Sequence, residues 1–154
     1  MNLDHRDRHL LNLLQRDCQI SNADLADAAG MSTSACWRRI RAFEEAGVID
    51  HYGAILNPGA AGLAFQAIVH VQLTRHDPQK TDEFVRAVNL RDEVVDCFAV
   101  TGQADYHMRV LCPDLSAYNR FLEDFLFRLP AVESAQTNLV LREIKRGKGI
   151  PLPG

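Results

Sequence analysis

Two different hydrophobic rhythms occupy the two halves of this chain, and one layer of secondary structure cannot satisfy both. In residues 65–73, Phe65, Ala67, Val69, Val71 and Leu73 alternate with Gln66, Ile68, His70 and Gln72. A period of two is that of a strand with one buried face. Near the N-terminus, Leu10, Leu13 and Leu14 recur at helical spacing instead. With 154 residues the chain has room for two small domains. Segment 57–63 opens with Asn57-Pro58-Gly59, is rich in small residues, and interrupts both rhythms, so it is the expected hinge. The expected division is a first domain at 1–52, a linker or hinge strand at 53–63 and a second domain at 64–154.

The first half carries helix punctuation. Asp4 is an expected N-cap with Asp7 three residues on, and the helix runs to about Asp17. Ser21 with Asp24 starts a second helix, with Leu25 and Ala29 on its inner face, and Gly30 stops it. Ser32 caps a third helix from Thr33 to Ala46, with Gly47 at its C′ position. One longer helix followed by two short ones across a tight Gly-containing turn is the helix-turn-helix pattern. Val48 to Leu56 is β-like in composition.

The second half alternates strands and helices. Asp77-Pro78 is a cap followed by proline at the first helical position, and Phe84, Val85 and Val88 define that helix's inner face. Val94–Thr101 and Tyr106–Cys112 are expected strands joined by a turn at 102–105. Pro113-Asp114 opens a helix with Tyr118, Phe121, Leu122, Phe125, Leu126 and Leu129 on one side, ended by Pro130. Val132–Ile144 is the last strand. The order βαββαβ specifies an α+β fold, a ferredoxin-like sandwich. Two helices cover one face of such a sheet. The other face, with Ile68 and Val140 among its apolar residues, is expected to be buried against a second copy, most simply as a C2 dimer.

Composition excludes several classes. Apolar residues are 47 % and charged residues 24 %, which is ordinary for a globular chain. No apolar run reaches the roughly 18 residues of a membrane span. The first sixteen residues hold Asp4, Asp7 and several Arg and have no signal-peptide core, so the expected location is cytoplasmic. Cys18, Cys36, Cys97 and Cys112 are dispersed without CxxC spacing and are expected as reduced core residues. His5, His9, His51, His70, His76 and His107 offer one metal-like spacing, His5/His9 at i, i+4, with no third ligand near, so no metal site is expected. No phosphate loop, serine elbow or close carboxylate pair is present.

The third helix is the chemically distinctive stretch. Cys36, Ile40 and Phe43 fall on one side of the wheel and face the core. Ser34, Trp37, Arg38 and Arg41 fall opposite, with Arg39 at the flank, and no acid lies between Asp27 and Glu44. Arg can take a guanine edge bidentately or pair with a phosphate. Ser32, Thr33 and Ser34 at the helix start suit phosphate contacts, and Trp37 can pack on backbone sugars. An ordinary solvated face, with Glu44 and Glu45 as partners, is the plainer alternative. Residues 1–52 hold six Lys/Arg against eight Asp/Glu, so one copy is expected to bind weakly and paired copies to supply affinity. Arg142, Lys145, Arg146 and Lys148 form a basic tail, either solubilising or contacting phosphate.

The runs DRHLLNLLQRD from Asp7 and ISNADLADAAGMSTSACWRRIRAFEEAGVIDHYGAILNP from Ile20 resemble the winged helix-turn-helix of the leucine-responsive/AsnC, or feast/famine, regulators. VTGQADYHMRVLCPDLSAYNRFLEDFLFRLPAVESAQTNLVLREIK resembles their C-terminal domain. The resemblance covers roughly residues 3–146. It implies a winged helix-turn-helix plus a ferredoxin-like, RAM/ACT-like sandwich, dimers that assemble into octamers or similar rings, and response to an amino acid bound between dimers. Cys36-Trp37 and the ending LREIKRGKGIPLP resemble a branch that includes sensors of cysteine and other amino acids.

For the effector, the turn Thr101-Gly102-Gln103-Ala104-Asp105-Tyr106 is the candidate site. Gly102 permits a positive φ that exposes backbone N–H groups to a carboxylate, and Asp105 offers a partner for an α-amine. A plain hairpin turn is the alternative reading. The resemblance implies that ligand response maps to Ala99, Asp105, Leu115, Phe127, Asn138, Leu139 and Val140. Asn138 replaces an aromatic residue of some relatives, and Ala99 is smaller than the usual aliphatic. No cofactor is implied beyond an amino-acid effector. Two other readings stand beside this one. A siroheme-decarboxylase-like enzyme would use His70, His107 and Arg109 on a tetrapyrrole, and a metabolite-binding assembly module would ignore DNA.

Overall fold

The computed structural model describes residues 2–74, 77–147 and 149–152; His76 and Lys148 lie outside them. The chain divides into two compact units, Met1–Ile55 with Ile144–Gly154, and Leu56–Glu143.

In the first unit, α1 (His5–Arg16) begins with a reciprocal capping box: Asp7 N–H donates to Asp4 Oδ1 at 2.8 Å and Asp4 N–H to Asp7 Oδ2 at 3.0 Å. Ser21 caps α2 (Asn22–Ala28) and Ser32 caps α3 (Thr33–Glu45), each accepting from the amide three residues on. Gly47 follows α3 at φ 66°, the left-handed stop. Leu10, Leu11, Leu25, Ala26, Cys36 and Phe43 are the buried core, with Ile40, Ile49 and Leu152 packed against it. Ala29 is half-buried, and Ala26 takes the inner place expected of it. Among the described residues, 46–64 contain no strand, so the β-like composition of 48–56 is not matched by a ladder. A strand exists only when its backbone groups have a neighbour to bond.

The second unit is β1 (Phe65–Leu73), α4 (Pro78–Asn89), β2 (Val94–Ala99), β3 (Tyr106–Cys112), α5 (Leu115–Asp124) and β4 (Val132–Leu139). The sheet order is β2-β3-β1-β4, every neighbour antiparallel, which is the ferredoxin-like arrangement. Ala67, Val69, Val71 and Leu73 alternate inward against Phe84 and Val88 of α4 and Tyr118 and Phe121 of α5. Val85 is 38 % exposed and does not belong to that face. The fifth helix stops at Phe125 (φ −125°, ψ −71°), five residues before Pro130, and a 3₁₀ turn, Leu126–Arg128, follows it and buries Leu126. The last strand ends at Leu139 rather than Ile144.

The uncovered sheet face is more polar than expected. Phe98, His107, His70 and Gln136 stand in register across the four strands, and Asp96, Arg109, Ile68 and Asn138 form the adjacent row. Only Cys36 and Cys112 are core residues; Cys18 and Cys97 are exposed, and all four are free thiols.

The α1–α3 joint rests on Asp7, 1 % exposed, whose carboxylate receives Arg39 Nε at 2.5 Å and Nη2 at 3.0 Å. Asp7→Ala removes both a cap acid and the partner of a half-buried guanidinium, and is expected to cost about 2 kcal/mol. Urea unfolding followed by the single Trp37 checks this; an unmoved midpoint contradicts the joint. Backbone donation from Asp7, helped by Arg39, holds the Asp4 carboxyl below its ordinary 3.8. Asp4's contribution is therefore fully present above that value and disappears as pH falls through the lowered one, so midpoints at pH 5 and 7 should agree on this account.

Candidate nucleic-acid interface and effector site

The third helix is fixed from behind by Cys36 and Phe43, both fully buried, and this decides which residues face out. Thr33, Ser34, Trp37, Arg38 and Arg41 are exposed. Ser32 Oγ accepts from Ala35 N–H at 3.3 Å and lies 3.4 Å from Ser34 Oγ, so Ser32 works as a cap. The first turn of α3 contains no acid, which leaves its positive dipole end uncompensated.

The three arginines are not equivalent. Arg39 spans Asp7 and Asp4, with Nη2 3.1 Å from Asp4 Oδ2, and so ties α3 to α1. Arg41 lies 3.3 Å from Glu44 and 5.7 Å from the centre of the Trp37 ring. Glu44 is held in turn by the Tyr52 hydroxyl, which donates to it at 3.0 Å. Partial burial and that carboxylate push the Tyr52 phenol up to about 12, so it remains a donor at physiological pH. Arg38 is exposed, and its guanidinium has no ion-pair partner among the described residues. The sequence pattern set Arg39 at the flank and Arg38 with Arg41 on the outer face, but it did not reveal Arg39's partner, because Asp7 lies thirty-two positions away.

In the second unit, Gly102 has φ 131°, a conformation that favours glycine. Val100 N–H donates to Asp105 O and Asp105 N–H to Val71 O, both at 2.9 Å, so the turn is pinned at its two ends. Among the described residues the backbone N–H groups of Thr101, Gly102, Gln103 and Ala104 have no protein acceptor. Asp105 Oδ2 accepts from Leu73 N–H at 2.8 Å. One carboxylate oxygen therefore has a structural duty that the sequence did not reveal.

The sequence-selected effector residues fall into two groups. Ala99 and Tyr106 flank the turn beside Val71, and Phe127 lies in the segment whose Ala131 O accepts from Thr74 N–H. Leu139 and Val140 join Ala67 and Gln66, near the opposite end of β1, and Leu115 starts α5 just beyond Cys112, the partner of Phe65. Val71 and Gln66 are five residues apart, about 16 Å at roughly 3.3 Å per strand residue. Leu115, Phe127 and Leu139 are all more than half exposed apolar side chains. Asn138 Nδ2 is 3.0 Å from His70 Nε2, and His70 Nδ1 is 2.9 Å from His107 Nε2. Arg109 Nε donates to Asp96 at 2.5 Å. The topology thus gathers His70, His107 and Arg109 on one face, but pairs them with each other, with Asn138 and with Asp96. No cluster of three His, Cys, Asp or Glu suited to a metal occurs among the described residues.

A three-helix reader joined in sequence to a ferredoxin-like sensor sheet defines a ligand-binding transcription regulator. Comparison with known proteins places it further. Residues 3–50 match the winged helix-turn-helix DNA-binding family and residues 66–150 the Lrp/AsnC ligand binding domain family. The chain is 38 % identical over 144 residues to the leucine-responsive regulatory proteins of Escherichia coli strain K12 and Salmonella typhimurium, covering 94 % of this chain and 88 % of each relative. A Neisseria meningitidis transcriptional regulator solved as an L-Met complex superposes with TM-score 0.93 at 33 % identity, over 97 % of both chains. An AsnC family regulator from Agrobacterium tumefaciens gives 0.91 at 32 %, again over 97 % of both. The chain belongs to the Lrp/AsnC family of DNA-binding transcription regulators.

The Leu73–Asp105 bond has a separable consequence. Asp105→Ala is expected to lose about 1–2 kcal/mol from the second unit, whereas Asp105→Asn keeps an acceptor for Leu73 N–H and should lose less. Amide exchange at Leu73 reads this; equal protection of that amide in both variants and the parent contradicts the bond's role.

Proposed function

We propose that this regulator reads the major groove of double-stranded DNA through α3, with Arg38 as the principal base-reading side chain. The observation that carries this is Arg38's position: on the outward face of a helix whose other face is locked into the core, with no anionic partner among the described residues. Thr33 and Ser34, on an uncompensated helix N-terminus, suit phosphates. Trp37 with Arg41 stacked near it suits the sugar-phosphate wall. Ser32 and Arg39 act indirectly, by capping α3 and by fixing its angle on α1.

The effector is proposed to be an amino acid. The unpartnered N–H groups around Gly102 suit a carboxylate, and the free oxygen of Asp105 suits an α-amine. Ala99, Thr101, Gln103, Ala104, Tyr106 and Phe127 surround that end of the sheet. Leu115, Leu139 and Val140 lie too far along β1 for one small ligand to touch both ends in one protomer, and Asn138, bonded to His70, stands between the two groups. A ligand that engages both therefore needs a second copy, which supports a dimer and higher assembly with the effector between copies. An amino acid with different affinity for two assemblies would shift the spacing of the reading helices. The Neisseria regulator's L-Met complex supports the same ligand class. The proposed setting is the cytoplasm, and no helix is long and apolar enough to cross a membrane among the described residues. The pairing of His70 with His107 and Asn138, and of Arg109 with Asp96, favours regulation over tetrapyrrole chemistry.

Arg38→Ala should weaken binding to a duplex selected from a random pool by about 5- to 200-fold, the range of one good base contact. Arg39→Ala should also lower the unfolding midpoint, which Arg38→Ala should leave unmoved. Fluorescence anisotropy and urea unfolding check the pair, and undiminished DNA binding by Arg38→Ala sinks the assignment.

A further inference from the structure

The C-terminal segment is built into the DNA-binding unit. Gln15, near the end of α1, holds the Ile150 backbone from both sides: Ile150 N–H donates to Gln15 Oε1 at 2.6 Å, and Gln15 Nε2 donates to Ile150 O at 3.3 Å. The same amide donates to Asn12 Oδ1 at 3.3 Å, which orients it. Leu152 packs against the core of Leu10, Leu11, Leu25 and Phe43. Gly149 makes the approach possible, because a Cβ there would stand 2.7 Å from Gln15 Cδ and 3.1 Å from its Cβ.

This docking changes the unit's charge. Residues 1–55 hold six Lys/Arg against eight Asp/Glu, and residues 144–154 add Lys145, Arg146 and Lys148 with no acid. Its described cations, Lys145 and Arg146, bring a net acidic unit to eight basic against eight acidic residues. A unit of this length has a radius of gyration of roughly 11 Å. The Debye length is about 8 Å at physiological salt. Such a unit is roughly 28 Å across, more than three Debye lengths, so a docked cation adds to affinity only where it reaches a backbone phosphate directly.

We propose that residues 144–152 form a docked cationic strap whose Lys145 and Arg146 add DNA-backbone phosphate contacts to the α3 interface. The proposal rests on α3 being the DNA reader. It assigns Gly149 and Gln15 as positioning residues that hold those cations on the DNA-binding unit.

The test uses the full chain and a random-sequence 30-base-pair duplex, with affinity measured from 50 to 200 mM NaCl. Each lost phosphate contact lowers the slope of log affinity against log salt by about 0.9. Replacing Lys145 and Arg146 by Gln should reduce the slope by about 1–2 while leaving the Trp37 unfolding midpoint unchanged. Gly149→Val, which keeps every charge, should reduce the slope in the same direction and open the tail to trypsin. An unchanged slope in the Gln variant overturns the phosphate role. A wild-type slope in Gly149→Val overturns the need for docking. A parent chain that ignores the duplex overturns the DNA reading itself, and its trypsin resistance still reports the docking separately.

Discussion

The geometry of the reading helix depends on one buried carboxylate. Asp7 is nearly inaccessible to solvent, yet it serves the backbone of Asp4 and the guanidinium of Arg39 at once. A charge placed there is tolerated because a cation and amides satisfy it. The consequence reaches beyond stability. The burial of Cys36 and Phe43 turns Trp37 and Arg38 away from the core, and the Asp7–Arg39 pair ties the helix so oriented to α1.

The sensor unit shows a similar division of labour within single residues. Asp105 ties the 101–105 turn to the end of β1 with one oxygen. That bond holds the turn where its amides, unpartnered among the described residues, are exposed, and on the proposed function it leaves the other oxygen for the effector. On the uncovered face, the run Asn138–His70–His107 joins three strands through side chains alone. These groups make a polar, in-register surface where an apolar one was expected, so any copy that packs there must match hydrogen bonds as well as shape.

What the sequence made legible was local. Asp4, Ser21, Ser32, Asp77 and Asp114 each cap their helix through amides two or three residues on, so the necessary partners are neighbours in the chain. The alternation of 65–73 likewise declares its own buried face. The missed features join distant positions. Arg39 finds Asp7 across thirty-two residues, His70 finds His107 across thirty-seven, and Gln15 finds Ile150 across 135. None of these pairs has a sequence signal of its own. The early end of α5 at Phe125 is of the same kind, since Leu126 leaves the helix to enter the core. Residues 48–56 have strand-like composition without a ladder, because composition does not supply a partner.

Methylation interference on a selected duplex tests the central claim most directly, because it asks which groove the protein reads rather than how tightly it binds. Methyl groups at guanine N7 occupy the major-groove edge that an outward arginine would take. The account predicts strong interference at guanines in two half-sites about one helical turn, roughly 10 base pairs, apart. Interference confined to adenine N3 in the minor groove, or none at guanine N7, would contradict it.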